Sequence, residues 1–122
     1  EADALLGKAR EVGGIKVVSG TAPVANMDDL RNMTDQIRDK LGSGVVVLGA
    51  VAGEGKVNLV AAVTKDLVGK VHAGNLVKQV AAICGGGGGG RPDLATAGGK
   101  DPAKLGEALQ AAPGIVGQMV GA

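Results

Sequence analysis

The sequence predicts an α+β fold, in which helices pack on a mixed β-sheet built in the order β-α-β-β-α. Short segments rich in Val and Ile alternate with segments whose apolar residues recur every three or four positions. A helix separates the first two predicted strands, which should therefore be parallel, and a short turn makes the second and third strands a hairpin. An N-terminal helix leads in, and a glycine-rich loop precedes the C-terminal helices.

Residues 1–13 are predicted to form this entering helix, the end of a linker from upstream domains. Apolar residues recur at helical spacing up to Gly13, at Ala2, Leu5, Leu6, Ala9 and Val12. The chain does not begin with Met, and we expect it to be a fragment of a longer protein or a tag-cleaved product. Residues 14–122 are predicted to form a single globular domain, because a chain of this length usually builds one core.

The next elements follow from their residue patterns. Residues 15–19 are β-branched and predict a strand, and Asn26 is a good N-cap for the clearest helix of the chain, which ends near Leu41. At residues 45–51 the odd and the even positions are both apolar, which is typical of a strand covered on both faces. At residues 57–63 the side chains alternate between the two faces of a second strand, which is predicted to form a hairpin with the first. Residues 71–84 predict a helix that starts at His72 and points its C-terminus at the glycines.

The C-terminal part is predicted to contain a short edge strand and two helices. Residues 94–99 form the strand, after the charged sequence Arg91-Pro92-Asp93. Asp101 and Pro102 supply an N-cap and a first helical position for a helix that runs through residue 112. A separate short helix is predicted from Pro113 onward.

The composition excludes one class of nucleic-acid binder. Phe, Tyr and Trp are all absent from the 122 residues, and proteins that bind single-stranded nucleic acid use aromatic side chains as stacking platforms. The net charge is only +1, but residues 56–104 contain seven Lys or Arg and three Asp or Glu, which gives +4. This basic block surrounds the glycine run, a pattern found both on solvated surfaces and at nucleic-acid sites.

One cysteine and one histidine offer little thiol or metal chemistry. Cys84 has no partner for an internal disulfide, and neither Cys84 nor His72 has companions at metal-ligand spacing. We expect Cys84 to be a small buried residue, His72 to take no part in acid-base chemistry, and no metal to bind. The chain begins without a signal segment and contains no apolar run near the length of about 20 residues that a membrane span needs. We therefore expect a cytoplasmic protein without membrane contact.

Six consecutive glycines at residues 85–90 are the most costly feature of the sequence, because an ordered glycine is less stable than alanine by roughly 0.5–1 kcal/mol. Such a run indicates positive φ angles, a close approach of another backbone, or a flexible linker. A Walker loop has the same glycine spacing, but Arg91 and Pro92 stand where that motif needs Lys and Ser or Thr. Any run of six glycines contains a dinucleotide fingerprint, and here a predicted helix precedes it where that motif needs a strand. We therefore interpret the run as a nest of backbone N–H groups beside the Arg91 guanidinium, suited to a phosphodiester.

The segment GGGGGGRPDLATAGGKDPAKLGEAL resembles the signature near the C-terminus of alanyl-tRNA synthetases. The preceding GSGVVVLGAVAGEGKVNLVAAVTKDLVGKVHAGNLVKQVA is similar to the hairpin and helix of that family, and the resemblance covers essentially the whole chain. The matching positions are the six glycines, Arg91, Pro92, Asp93, Gly98 and Gly99. The resemblance implies the C-terminal globular domain of these enzymes, called C-Ala, which is similar to the C-terminal subdomain of DHH phosphoesterases.

The resemblance implies a non-catalytic domain that binds the elbow of tRNA(Ala), where the D and T loops meet, and so assists aminoacylation and editing. The upstream catalytic and editing domains of the same chain would hold ATP, magnesium and zinc, and we expect no cofactor in this fragment. Arg91 stands where the phosphoesterase pattern has His, and a guanidinium can clamp a phosphate but is a poor general acid or base. We expect no catalytic residue, and tRNA or phosphate contacts from Gly85, Gly86, Gly87, Gly88, Gly89, Gly90, Arg91, Lys70, Lys78, Lys100 and Lys104.

Two other functions stay open at this point. The glycines could serve only close packing, within the fold or between the subunits of a homodimer, or the domain could be a small phosphoester-binding enzyme. A mobility shift with folded tRNA separates tRNA binding from the first alternative, and metal-dependent phosphodiester turnover would support the second.

Overall fold

The structure, a computed structural model, describes residues 2–122 and confirms the α+β class with a mixed sheet. The strands are β1 Arg10–Val12, β2 Ile15–Thr21, β3 Val45–Ala52, β4 Lys56–Val63, β5 Gly87–Gly90 and β6 Leu94–Gly99. The helices are α1 Ala2–Leu6, α2 Met27–Leu41, α3 Ala73–Ile83 and α4 Leu105–Val120, with short 3-10 turns at Lys65–Leu67 and Pro102–Lys104. The strands form one sheet in the spatial order β1-β2-β3-β4-β6-β5.

The predicted strand connections are confirmed. β2 and β3 are parallel neighbours joined through α2, with Val17 opposite Val45. β3 and β4 form an antiparallel hairpin in which Ala52 lies opposite Lys56 near the turn. β6 pairs antiparallel with the other side of β4 and so carries the C-terminal part of the chain back into the sheet.

Helices cover the two faces of the sheet to different extents. α3 and α4 cover one face, where Leu59, Leu76 and Leu109 belong to the larger hydrophobic cluster. α2, with α1 beside it, covers the other face above β2, β3 and β4, and its cluster reaches β6 only at Leu94. The side of the sheet that carries α2 therefore extends beyond its helix at β6 and β5.

The predicted entering helix over residues 1–13 is wrong in extent. α1 ends at Leu6, and residues 10–12 form β1, which pairs antiparallel with β2. The cause lies in the next two residues, because Gly13 and Gly14 have φ angles of 57° and 82°. These left-handed conformations build a tight hairpin turn that glycine adopts without steric cost. Glu1 lies outside the described residues, and the domain boundary at residue 14 stays a prediction.

The predicted glycine-rich loop is wrong as a loop. Residues 87–90 form strand β5, which pairs antiparallel with β6 at the edge of the sheet. β6 is consequently an inner strand and not the predicted edge strand. Glycine has no side chain, so a glycine strand lacks the alternating apolar pattern by which strands are found in a sequence.

The predicted break at Pro113 is also wrong, because residues 105–120 form one helix with Pro113 inside it. Proline in a helix interior costs about 3 kcal/mol. On either side of it, Leu109 and Val116 are buried in the cluster shared with α3 and the sheet. Full burial of such side chains contributes about 1.5–3 kcal/mol each, so the two together can offset the cost of the proline.

The predicted helix starts at Asn26 and His72 are confirmed. Asn26 Oδ1 accepts a hydrogen bond from the Asp29 N–H at 2.8 Å, and His72 Nδ1 accepts one from the Asn75 N–H at 3.0 Å. Cys84 is fully buried, as expected. Of the helices formed by residues 2–122, none has the length and apolar character that crossing a membrane requires.

Candidate nucleic-acid interface

The first two glycines of the run terminate α3. Gly85 has a left-handed φ of 71°. The N–H groups of Gly85 and Gly86 donate to the carbonyl oxygens of Ala82 and Ala81 at 3.2 and 2.9 Å. This pair of bonds is the Schellman motif, which places glycine in the left-handed position because a Cβ is strained there. The backbone donors of both glycines therefore serve the fold.

The far end of the run returns to the start of α3. The N–H groups of Ala73 and Gly74 belong to the first turn, which has no partners within the helix. They donate to the carbonyl oxygens of Pro92 and Arg91 at 2.8 and 3.1 Å, while the N–H of Arg91 donates to the Leu94 carbonyl at 3.2 Å. β5 thus runs along α3 from its C-terminal end back to its N-terminal end.

The predicted nest of N–H groups is therefore wrong. A nest needs successive N–H groups that converge on one point, whereas residues 87–90 are extended and successive groups of a strand point to opposite sides. The N–H groups of Gly85, Gly86 and Arg91 already donate within the protein. A phosphate at the run has to be held mainly by side chains that surround the strand.

Three alternate glycines of the run, Gly86, Gly88 and Gly90, have no space for a side chain, and we call them the packed glycines. A Cβ built on Gly88 would lie 2.6 Å from the Cα of Ala97. One built on Gly86 would overlap the carbonyl oxygen of Gly98, and one on Gly90 would lie 3.0 Å or less from β6. Such distances are shorter than packed interiors tolerate. These positions require glycine so that β5 can lie close to β6.

Helix α3 takes part in the same close contact. A Cβ on Gly74, in its first turn, would lie 2.6 Å from the carbonyl oxygen of Gly90. Gly74 is buried, although glycine in a helix interior costs roughly 1 kcal/mol relative to alanine. The close approach of a second backbone, one of the explanations predicted for the run, is therefore confirmed for these positions.

The remaining two strand glycines, Gly87 and Gly89, face open space, and we call them the open glycines. A Cβ built on either residue would meet no atom within 4 Å. They pair with Gly98 and Thr96 of β6. Close packing therefore gives no reason for a glycine at residues 87 and 89.

The open glycines belong to a strip of sheet that α2 leaves uncovered. Side chains alternate between the faces of a strand, and Val57 and Leu59 of β4 point into the cluster under α3 and α4. Asn58 therefore lies on the opposite face, and so do its neighbours on β6. We call this strip the glycine surface and define it by Asn58, Gly87, Gly89, Thr96 and Gly98, which are half-buried or exposed.

Basic side chains lie at both ends of the glycine surface. At the arginine end, Arg31 of α2 and Arg91 line a shallow cavity of about 340 Å³ together with Thr96 and glycines of the run. At the lysine end, Lys56 and Lys100 line a second cavity of about 320 Å³. The two cavities place positive charge on either side of a strip that is almost free of side chains.

The structure brings together only some of the predicted basic residues. Arg91 and Lys100 lie at the ends of the glycine surface. Lys70 lies in the turn before α3, Lys78 is exposed on α3, and Lys104 lies in the 3-10 turn before α4. None of these three lines either cavity, and their role in binding stays a prediction.

Two basic residues at the site, Arg31 and Lys56, are missing from the predicted set. The sequence indicates the position of Lys56 only weakly. Lys56 precedes Asn58 by two residues on the same strand, so the two side chains lie on the same face, which is the face of the glycine surface. For Arg31 the sequence gives no indication, since it lies 54 positions before Gly85 on a helix whose placement depends on the parallel crossover. Only the folded chain places Arg31 beside Arg91.

The titratable groups near α3 do not suggest catalysis. Burial raises the pKa of the Cys84 thiol, which disfavours the nucleophilic thiolate. His72 Nδ1 is occupied by a backbone N–H. Within residues 2–122, no three His, Cys, Asp or Glu side chains lie close enough together to hold a metal ion. The glycine surface carries neutral hydrogen-bonding groups and its two ends carry cationic ones, and both suit an anionic ligand.

A sheet with this topology and a glycine strand beside its third helix can be compared with known proteins. The model of the DHHA1 domain family matches residues 14–118. The match covers most of the chain, so the chain belongs to the DHHA1 domain family.

Within that family the similarity is to alanyl-tRNA synthetases. The crystal structure of the C-Ala domain from Aquifex aeolicus alanyl-tRNA synthetase matches with a TM-score of 0.81 and 34% identity, over 90% of this chain and 98% of that one. The alanine–tRNA ligases of Pelotomaculum thermopropionicum and Bacillus subtilis are 62% and 57% identical over 107 and 110 residues, which are 87% and 89% of this chain. The chain spans only 12% of the length of each ligase. The predicted resemblance to the C-Ala domain is confirmed.

Proposed function

We propose that this domain binds folded tRNA at its elbow, where the D and T loops meet, through the glycine surface and its two basic ends. One observation carries the proposal: an open strip of sheet lies between a pair of arginines and a pair of lysines. A sugar-phosphate backbone can approach backbone atoms closely where no side chain projects. Guanidinium and ammonium groups at the two ends then reach its phosphates.

The available chemistry favours recognition by shape over recognition by sequence. The chain has no aromatic residue on which a base could stack. Folded RNA is recognised largely through its shape, its phosphates and its 2′-hydroxyl groups. Asn58 and Thr96 are the neutral polar side chains of the glycine surface, and both can hydrogen-bond a hydroxyl group or a phosphate oxygen. The proposed ligand is therefore a folded RNA and not a single strand.

We propose that the whole protein is an ATP-dependent alanine–tRNA ligase with editing activity, and that this domain holds tRNA(Ala) for the upstream catalytic and editing domains. ATP, magnesium and zinc would bind in those domains. The domain itself would be catalytically inactive, because Arg91 stands where a general acid or base would be needed and a guanidinium group is poorly suited to either role. Such a protein works where tRNA is aminoacylated, in the cytoplasm.

Self-association is a second candidate function, and the position of β5 favours it. β5 is the last strand of the sheet, and natural edge strands are usually protected by charges, proline or bulges. The four residues of β5 are all glycine and all exposed, so a second copy could pair with this edge. Sedimentation of the purified domain tests this alternative, because edge pairing predicts a dimer whose formation competes with tRNA.

Titration of the domain with folded tRNA at several salt concentrations tests the main proposal. Each phosphate contact contributes about −0.7 to −0.9 to the slope of log K against log salt, and a few contacts should give a slope of roughly −2 to −5. The isolated domain should bind weakly, because its contacts are few and exposed. An affinity that does not change with salt, or no binding at low salt, would contradict the proposal.

A further inference from the structure

We infer that the cavity at the arginine end is a phosphate site built jointly by Arg31 and Arg91, which holds one phosphodiester group of the bound RNA. The identity of the ligand rests on the proposed function, but residues from three elements define the site. Arg31 comes from α2, Arg91 from the turn between β5 and β6, and Thr96 from β6, and all three line the same cavity. Arg31 is remote from the glycine motif in the sequence and joins the site only through the fold.

The charges around the cavity favour an anion. Two guanidinium groups that share a cavity repel each other, and an anion between them replaces this repulsion with two attractions. Within residues 2–122, no carboxylate oxygen lies within 4.0 Å of the Arg31 guanidinium, since the ion pairs of the chain involve other residues. The cavity therefore carries positive charge that the protein itself only partly neutralises.

Asp93 is the one acidic side chain that pairs with these arginines in the described structure. Its Oδ1 lies 3.5 Å from Arg91 Nε, and the two side chains are 48% and 72% exposed. Exposed ion pairs of this kind contribute little stability. Because the contact is made at Nε, Asp93 can orient the Arg91 side chain while the terminal nitrogens of the guanidinium remain as donors for a phosphate.

The shape of the cavity allows several donors to reach one phosphate. Gly89 and Gly90 present bare backbone beside the arginines, so β5 itself places no side chain in the way of a phosphate. Guanidinium forks match the oxygens of a phosphate and form short, charge-assisted hydrogen bonds. The Thr96 hydroxyl can donate a further bond. Both non-bridging oxygens of a phosphodiester can thus be bound at the same time.

Substitution of the two arginines tests the inference in the presence of tRNA. Arg31→Ala and Arg91→Ala should each weaken tRNA binding about tenfold and reduce the magnitude of the salt slope by about 1. The double variant should lose less than the product of the two effects, because both side chains bind the same phosphate. Arg31→Lys should restore only part of the affinity, since the planar fork is lost. Arg10→Ala, an exposed arginine on β1 at the opposite edge of the sheet, is the matched control and should bind as wild type.

A second measurement examines the site without RNA. Inorganic phosphate, added at constant ionic strength against a chloride control, should shift the amide NMR signals of Gly89, Gly90 and Thr96 in the wild-type domain. The shifts should disappear in Arg31→Ala, while the dispersed spectrum of the folded domain is retained. Absence of these shifts in the wild type, or their persistence in Arg31→Ala, overturns the site.

The two measurements separate failure of the inference from failure of the proposed function. If wild type binds tRNA and Arg31→Ala binds as tightly as the Arg10→Ala control, the shared site is wrong and tRNA binding stands. If wild type does not bind tRNA, the proposed function and the RNA ligand are both wrong. The phosphate titration then decides whether the two arginines form an anion site at all.

Discussion

The packed and the open glycines alternate along the run, but close packing requires glycine only at the packed positions. Gly86, Gly88 and Gly90 lie so close to β6 that a Cβ would strike its atoms, whereas a Cβ on Gly87 would meet nothing within 4 Å. Steric exclusion by the protein explains the first set. In the second set, Gly89 has a φ of 159°, which favours glycine, whereas Gly87 has neither a steric nor a conformational need for glycine within the fold. A ligand that excludes side chains from outside would explain Gly87, and this is the basis of the proposed RNA surface.

The same contrast separates two parts of Arg91. Its carbonyl oxygen caps the first turn of α3 through the Gly74 N–H, while its side chain is 72% exposed at the arginine end of the glycine surface. The backbone of the residue serves the fold and the side chain serves the surface. Substitution of the side chain therefore leaves the cap in place, and the arginine variants remain usable in binding experiments.

Gly88→Ala should have the largest effect on stability of the substitutions considered. The new Cβ would lie 2.6 Å from both the Cα of Ala97 and the carbonyl oxygen of Thr96, and backbone atoms of a paired strand cannot move aside cheaply. We expect a loss of about 2–3 kcal/mol in the free energy of unfolding, as for other overpacked sites. Urea denaturation measures it, and a loss below about 0.5 kcal/mol would show that β5 is not held against β6.

Gly85→Ala should have an intermediate effect. The residue takes a left-handed φ of 71°, but a Cβ there would meet nothing within 4 Å. The cost is therefore conformational strain alone, about 1 kcal/mol. Thermal unfolding should place this variant between wild type and Gly88→Ala, and Gly85→Asn should recover part of the loss because Asn tolerates the left-handed region better than Ala. Equal stability of the Ala and Asn variants would argue against strain as the cause.

Much of the fold is predictable because it depends on local signals or on topology rules. Asn26 marks the start of α2, the helix between β2 and β3 dictates a parallel pair, and the turn after Ala52 dictates a hairpin. Two strands, by contrast, were missed. β5 consists of glycines and has no alternating side chains, and β1 is only three residues long, too short to show a pattern. α4 continues through Pro113 because the residues on either side of it are buried against the rest of the fold. The rule that proline ends a helix considers only the local sequence and does not include this burial.

The candidate site was predictable only in part. The glycine run and Arg91 are conspicuous in the sequence, but the sequence presents Gly87 and Gly88 as equivalent residues. Their different roles follow from the direction in which a Cβ would point, and this direction depends on the pairing of β5 with β6. Arg31 and Lys56 join the site through tertiary structure, and Lys70, Lys78 and Lys104 were predicted from sequence proximity to a run whose open face lies elsewhere.

The tRNA affinity of a Gly87 variant tests the central claim most directly. Gly87→Gln places a side chain on the glycine surface at a position where a Cβ has no neighbour within 4 Å and φ is not positive. Its free energy of unfolding should stay within about 0.5 kcal/mol of wild type, because nothing in the fold is displaced. Gly114→Gln on α4, where a Cβ also meets nothing within 4 Å, is the matched control for the added side chain and for charge, and it should not lower the free energy of unfolding, because glycine is unfavourable in a helix interior.

If RNA lies on the glycine surface, Gly87→Gln should weaken tRNA binding about tenfold or more. A buried clash typically costs about 1–3 kcal/mol, and about 1.4 kcal/mol corresponds to a tenfold change in affinity. Gly114→Gln should bind as wild type. Equal affinity of the two variants for folded tRNA, with both fully folded in thermal melts, would contradict the account and leave the open glycines without a function in RNA binding.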